Sequence, residues 1–192
     1  MFPRVLLIDN YDSFTYNLKQ ILDTPGICTY KIIKNNLILE TDFTSFDKIL
    51  ISPGPGLPPE IPGLIEFIKT QGLNKRVLGI CLGHQAIAQA FGAELINLKQ
   101  VNHGIREKIT ITDENDYLFK DLPLSFEVGL YHSWTVNPSG IPDCFKITSI
   151  SEDGIIMSIS HRKYDIKGIQ FHPESIMTVL GQKIIENWLK YG

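Results

Sequence analysis

At 192 residues the chain can bury one substantial core, and nothing in it resembles a linker that would divide it. Eighteen Lys and Arg against 21 Asp and Glu leave a net charge of −3 and a pI near 5.9, which excludes the basic footprint of a nucleic-acid or anionic-membrane binder. Cys28, Cys81 and Cys144 are odd in number and widely spaced, which fits free thiols in a reducing compartment better than a disulfide frame or a zinc site, so the expected location is the cytoplasm. No basic-then-apolar leader precedes the first strand pattern, and no apolar run approaches transmembrane length.

Short apolar, β-branched runs alternate with amphipathic windows over the first half. Strands are expected near Val5–Asp9, Lys31–Lys34, Lys48–Ser52 and Arg76–Ile80, with helices near Thr15–Leu22, Leu64–Gln71 and His84–Phe91. After Gly92 the texture changes. Segments around Glu94–Leu98, Glu107–Thr112, Glu127–His132, Cys144–Ser151, Ile155–His161 and Ile166–Gln170 follow in quick succession, which reads as an antiparallel portion. A last helix is expected at about Met177–Leu189. The fold class is therefore α/β: a mainly parallel sheet with helices on both faces and an antiparallel portion appended, as one domain over residues 1–192.

The most informative stretch is Gly79-Ile80-Cys81-Leu82-Gly83, between the apolar Val77-Leu78 and a helical window. It reads as a strand-to-helix turn that displays a cysteine, with glycines where side chains would collide with strand and helix. The thiol would sit at a helix N-terminus, where the macrodipole favours a thiolate and the Leu82 N–H can face an oxyanion. Alone, the same residues also describe a buried structural cysteine before a helix start. The second half of the chemistry comes from Gln170-Phe171-His172-Pro173-Glu174-Ser175. A thiol nucleophile needs an imidazole, and the imidazole needs an orienting group. His172 and Glu174 are two residues apart, and Pro173 disfavours a helical His172, so both side chains are expected on one side of an extended segment. Cys81, His172 and Glu174 thus read as a nucleophilic triad. His84, His103 and His132 lack a carboxylate at that spacing and read as structural or subunit-surface groups, whereas His161 with Arg162 and Lys163 is expected in an exposed hairpin.

Other blocks also follow apolar strands, where open α/β sheets place their chemistry. Ser52-Pro53-Gly54-Pro55-Gly56 lacks the ending of a phosphate-binding loop and reads as a stiff loop or a surface turn. Asn10-Tyr11-Asp12-Ser13 suits a helix cap. Gln85 lies one helical turn beyond Cys81 and can face the same pocket.

With Leu6–Asn17, Ile51–Gly56, Gly79–Gln85, Tyr131-His132-Ser133 and Gln170–Ser175 taken in order, nearly the whole chain resembles a class I (triad-type) glutamine amidotransferase. The opening Asp9-Asn10-Tyr11-Asp12-Ser13-Phe14 makes it most similar to the glutaminase subunits of anthranilate synthase and aminodeoxychorismate synthase. The resemblance implies that Gly56 N–H joins Leu82 N–H as the oxyanion hole. It further implies that Gly54, Pro55, Gly56, Gln85 and the backbone of Ser133 and Trp134 bind L-glutamine. It implies a chorismate-using synthase subunit as hetero-oligomeric partner, no cofactor in this chain, and magnesium on the partner. His103-Gly104-Ile105-Arg106 departs from the family's usual His-Gly-Lys, leaving that lysine's role at the partner surface without a counterpart. Two other readings stay open: a stand-alone γ-glutamyl hydrolase, which would need no partner, and a non-catalytic binding subunit, against which a complete triad argues.

Overall fold

The alternation of side chains along the first strand decides where the helices can lie. In the computed structural model, which describes residues 2–192 and the backbone alone at positions 100–102, β1 (Arg4–Asp9) sends Leu6 and Ile8 into one apolar cluster and Val5 and Leu7 into another. Both faces are covered, so the strand is apolar throughout rather than at alternate positions. α1 (Thr15–Leu22) and α4 (Gly181–Tyr191) pack Leu18, Leu22, Ile184, Ile185 and Trp188 with Val5 and Leu7. α2 (Leu64–Lys69) and α3 (Leu82–Ala90) pack Leu64, Phe67, Ile68, Ala86 and Ile87 with Leu6 and Ile8.

The remaining strands are β2 (Thr29–Lys34), β3 (Lys48–Ile51), β4 (Arg76–Ile80), β5 (Leu95–Ile111), β6 (Ser125–Val136), β7 (Phe145–Ser151), β8 (Ile156–His161) and β9 (Ile166–Ile169). They form one sheet in the order β2-β1-β3-β4-β9-β8-β7-β5-β6. From β2 to β9 the pairing is parallel, and from β9 to β6 it is antiparallel. The α/β class and its appended antiparallel part agree with the sequence reading. Among the described residues, no helix is long and apolar enough to cross a membrane.

Several details differ from that reading. Ile166–Gln170 is not simply a further antiparallel segment: β9 pairs antiparallel with β8 and, on its other edge, parallel with β4, with Ile80 opposite Ile169. It therefore joins the two halves at the centre of the sheet. The segments near Glu94–Leu98 and Glu107–Thr112 are one strand, β5, whose register shifts between Asn97 and Asn102 and again between His103 and Ile105 let it bend. The helix that begins in sequence at His84 starts at Leu82, because the glycine after Leu82 does not delay it. α2 ends at Lys69 and gives way to a 3₁₀ turn, Gln71–Asn74. The last helix begins at Gly181 rather than Met177, because Thr178 Oγ1 donates to His172 O at 2.6 Å and Met177 N donates to Ser175 Oγ at 3.2 Å, which holds this segment in turns. His161 is not solvated. It is 8% exposed, packed among Phe91, Phe145 and Tyr164, and its Nδ1 accepts from Lys163 N and Tyr164 N.

One buried cation ties the far end of the sheet together. Lys48 opens β3, is 1% exposed, and donates through Nζ to Trp188 O and Gly192 O, each at 2.7 Å. These carbonyls lie at the C-terminal end of α4, where Trp188 O takes one backbone donor, Gly192 N at 3.3 Å, and the ammonium supplies a second. Lys48→Ala should destabilise the fold by about 1–3 kcal/mol, the cost of leaving Gly192 O without its ammonium donor and Trp188 O with Gly192 N alone. Urea unfolding measures this. The rate of Cys81 alkylation in the folded variant should not change, and a loss below about 0.5 kcal/mol would show that other donors replace the ammonium.

Candidate active site

The turn between β4 and α3 is a single residue. Cys81 has φ 49° and ψ −100°, a backbone conformation that side chains disfavour, and it is pinned from both sides. Its N–H donates to Ile169 O at 2.8 Å, and its carbonyl accepts the first helical bond, from Gln85 N at 3.0 Å. The glycines around it are needed for close approach. A methyl group at Gly79 would lie 2.3 Å from Gly83 C, and one at Gly83 would lie 2.7 Å from Ile51 O. On the neighbouring strand, a methyl at Gly168 would lie 2.7 Å from His84 Nδ1. α3 therefore lies directly on β3, β4 and β9, with its N-terminus and the Cys81 thiol at the carboxyl edge of the sheet. Leu82 is the first helical residue, so its N–H has no acceptor within the helix.

His172 and Glu174 meet across a turn, not along an extended segment. Ser175 N donates to His172 O at 3.2 Å, closing a turn over Pro173 and Glu174, and within it His172 Nδ1 lies 2.7 Å from Glu174 Oε1. Both side chains are almost fully buried. The turn is held by His172 N donating to Gly129 O, by Thr178 Oγ1, and by Asn17 Nδ2 donating to Glu174 O. Phe14 and Tyr131 flank the imidazole with centroids at 5.1 and 4.9 Å. With Nδ1 on the carboxylate, Nε2 is the nitrogen left for the thiol. Burial alone lowers an imidazole's pKa, but the Cys81 side chain and the Glu174 carboxylate outweigh it and hold His172 well above the usual range. The arrangement favours an imidazolium facing the Cys81 side chain.

Cys81, Leu82, Gln85, Gly54, Pro55, Gly56, Ser133 and Trp134 line one cleft of about 170 Å³, together with Tyr131 and His132. That volume lies below the 300–1,000 Å³ typical of drug-sized ligands and suits a small metabolite. His172 and Glu174 do not line the cleft; they approach Cys81 from within the fold. A wider cleft of about 560 Å³ between α1 and residues 173–182 touches Glu174 but is not lined by Cys81. Ser133 and Trp134 fall inside β6 rather than after it. Gln85 Nε2 donates to Trp134 O at 2.8 Å and to Gln170 Oε1 at 3.2 Å, so its amide nitrogen is already engaged. Gln170 in turn directs Nε2 at Cys81 Sγ, at 3.6 Å. Sequence reasoning gave Gln170 no role, although it stands two residues before His172 and directly follows Ile169, whose carbonyl accepts the Cys81 N–H.

The other imidazoles near the site are kept neutral. His84 is fully buried with neither ring nitrogen hydrogen-bonded, and burial lowers its pKa to about 3. His132 is lowered to about 4, again chiefly by burial; its Nδ1 lies 2.9 Å from Trp134 O and so carries the proton. His172 is the imidazole placed to exchange a proton with Cys81.

A family model described as glutamine amidotransferase class-I matches residues 6–191. The chain is 41% identical over 188 residues to aminodeoxychorismate synthase component 2 of Escherichia coli, covering 96% of this chain and 98% of that protein. It is 39% identical over 189 residues to aminodeoxychorismate/anthranilate synthase component 2 of Bacillus subtilis, covering 97% and 95%. Among solved structures, a glutamine amidotransferase from Thermotoga maritima superposes with a TM-score of 0.79 at 16% identity, covering 99% of each chain, a likeness of fold.

The elbow stores backbone strain that only glycine relieves. Elsewhere glycine is roughly 0.5–1 kcal/mol less stabilising than alanine in regular structure. At the Cys81 conformation the order should reverse, with Cys81→Gly more stable than Cys81→Ala by about 1–2 kcal/mol. Chemical denaturation of the two variants is the measurement, and an alanine variant of equal or greater stability would mean the turn is relaxed.

Proposed function

The chain belongs to the class I glutamine amidotransferases, and from that premise we propose that it is the glutaminase subunit that frees ammonia from L-glutamine for a chorismate-using synthase subunit. The observation that carries the reading is Cys81 at the strained elbow, with the buried His172–Glu174 pair behind it and the Gly54–Gly56 loop across the cleft. The Cys81 thiolate attacks the side-chain amide carbon of glutamine, and the carbonyl oxygen takes the negative charge. The N–H groups of Leu82 and Gly56 receive that charge. As the C–N bond breaks, the His172 imidazolium gives its Nε2 proton to the departing nitrogen, and ammonia leaves. The imidazole, now neutral, takes a proton from water as the water attacks the thioester. Glutamate departs, and Cys81 is restored. Glu174 accepts from Nδ1–H throughout and keeps that proton in place.

The amino-acid end of glutamine falls to Gln85 and the backbone of Ser133 and Trp134. Gln85 Nε2 is engaged within the protein, but its Oε1 has no protein donor among the described residues, which suits it to accept from the substrate's α-ammonium. These steps use side-chain and backbone groups of this chain alone; on this reading magnesium belongs to the synthase partner. The names of the relatives support that partner, since each is component 2 of a synthase. The three cysteines are free, which supports a cytoplasmic setting.

In the complex, Cys81→Ser should abolish glutamine-dependent synthesis while leaving synthesis from added ammonium nearly intact. His172→Asn should be about as damaging, and Glu174→Gln milder, because triad members act as a unit and the orienter contributes least. Equal loss of both nitrogen sources, or a worse defect in Glu174→Gln than in His172→Asn, would overturn the assignment. The isolated chain should also be a poor glutaminase whose rate rises at least roughly tenfold with the synthase bound. One misdirected oxyanion donor removes about 2.7–4 kcal/mol, enough to hold basal turnover about a hundredfold down, and Gly56, with φ 77°, sits in a loop whose peptides can turn at low cost. Steady-state glutamate release with and without the partner decides this. Equal rates would favour a stand-alone γ-glutamyl hydrolase.

A further inference from the structure

The Gly54–Gly56 loop rests on one buried side chain that has no part in the hydrolysis steps. Asn10 follows β1, is 2% exposed, and engages its own N–H and both ends of its amide. Its N–H donates to Ser52 Oγ at 2.9 Å, and its Nδ2 donates to Ser52 O at 2.8 Å. Its Oδ1 accepts from Asn35 Nδ2 at 3.1 Å, which fixes the amide's orientation. Ser52 is the first residue past β3 and runs straight into Pro53-Gly54-Pro55-Gly56.

The contact continues into the loop. A methyl group at Gly54 would come 2.4 Å from Asn10 Cβ and 2.8 Å from Asn10 O, so the loop backbone lies directly against Asn10. Asn10 is itself held by its neighbour. Asp9 Oδ1 accepts from Tyr11 N at 2.8 Å and Thr15 Oγ1 at 3.1 Å, while its Oδ2 pairs with Lys34. Two hydrogen bonds at the root of a short loop and a close backbone contact at its first glycine constrain where the loop's next N–H groups can point.

We propose that Asn10 is a positioning residue for the oxyanion hole: by clamping Ser52 and seating Gly54 it aims the Gly56 N–H, and so sets the rate of thioester formation rather than the affinity for glutamine. The proposal rests on the glutaminase reading. Asn10→Asp keeps the size and the acceptor for Asn35 but replaces the donor to Ser52 O with an oxygen.

Two electrophiles separate aim from reactivity. A glutamine-derived chloroketone reacts through a tetrahedral oxyanion on its carbonyl carbon, whereas iodoacetamide is displaced at its methylene carbon and forms none. In the complex with the synthase, Asn10→Asp should lower kcat for glutamate release by about a hundredfold, with KM within threefold, and should slow chloroketone labelling in parallel. Alkylation of Cys81 by iodoacetamide should stay within twofold. Ser52→Ala, which removes the acceptor of the Asn10 N–H together with the hydroxyl's bond to Pro53 O at 2.7 Å but keeps the Asn10 Nδ2 bond to Ser52 O, should show the same pattern at about a tenfold level and serves if Asn10→Asp does not fold. An unchanged kcat, a change confined to KM, or iodoacetamide alkylation falling in step with kcat would overturn the proposal. Absence of chloroketone labelling and of glutamine hydrolysis in the unaltered complex would instead overturn the glutaminase reading.

Discussion

The close seating of α3 on the sheet is the constraint on which the active end depends. Backbone lies against backbone at Gly79 and Gly83, Gly83 reaches β3 at Ile51, and His84 fills the space over Gly168. At that distance the chain has one residue in which to turn from strand to helix, and Cys81 takes the strained conformation that results. Interiors are packed too densely for a side chain to be inserted without moving its surroundings. The strain at Cys81 is therefore maintained by the rest of the sheet, and it places a thiol, a free helix N–H and a partly open cleft within reach of one another.

Three histidines in and around the site show how little the residue type alone decides. His84 and His132 are desolvated without a carboxylate, and burial holds them neutral. His172 is buried as deeply, yet Glu174 and Cys81 stand against it, and its pKa moves the other way. The Cys81 side chain and a carboxylate at 2.7 Å together outweigh desolvation, because Coulombic attraction and hydrogen bonds strengthen as water is excluded. The same exclusion leaves Glu174 Oε2 and His172 Nε2 without other partners, which keeps the imidazole's second nitrogen available to the thiol.

The parallel half of the fold was legible because strands covered on both faces read as continuous apolar runs, as at Leu6-Leu7-Ile8 and Ile49-Leu50-Ile51. The antiparallel half was less so. β5 continues through His103 and Gly104, where glycine and polar residues interrupt the pattern but a bulged strand tolerates them. The double pairing of β9 depends on which edge of β4 is left open after β3 has docked, and that is a property of the whole sheet. His161 reads as solvated beside Arg162 and Lys163, yet Phe91, just past α3, covers it. The segment at His172 reads as extended, but Pro173 restricts only the residue before it. Hydrogen bonds from Ser175, Thr178 and β6 fold the residues beyond Pro173 into a turn.

By itself the sequence determined which chemistry the chain carries: a cysteine between glycines at a strand-to-helix turn, and a histidine two residues from a glutamate. Those are local features, fixed by what backbone sterics and side-chain acidity allow over a few residues. Only the tertiary structure decided that Gln170 reaches Cys81 across 89 positions, that Gln85 is drawn onto Trp134 O and Gln170, and that Asn10 braces Ser52 and Gly54. The physical reason is that hydrogen bonds and pKa shifts in a dry interior depend on distances between residues far apart in the chain, and those distances exist only once the sheet has assembled.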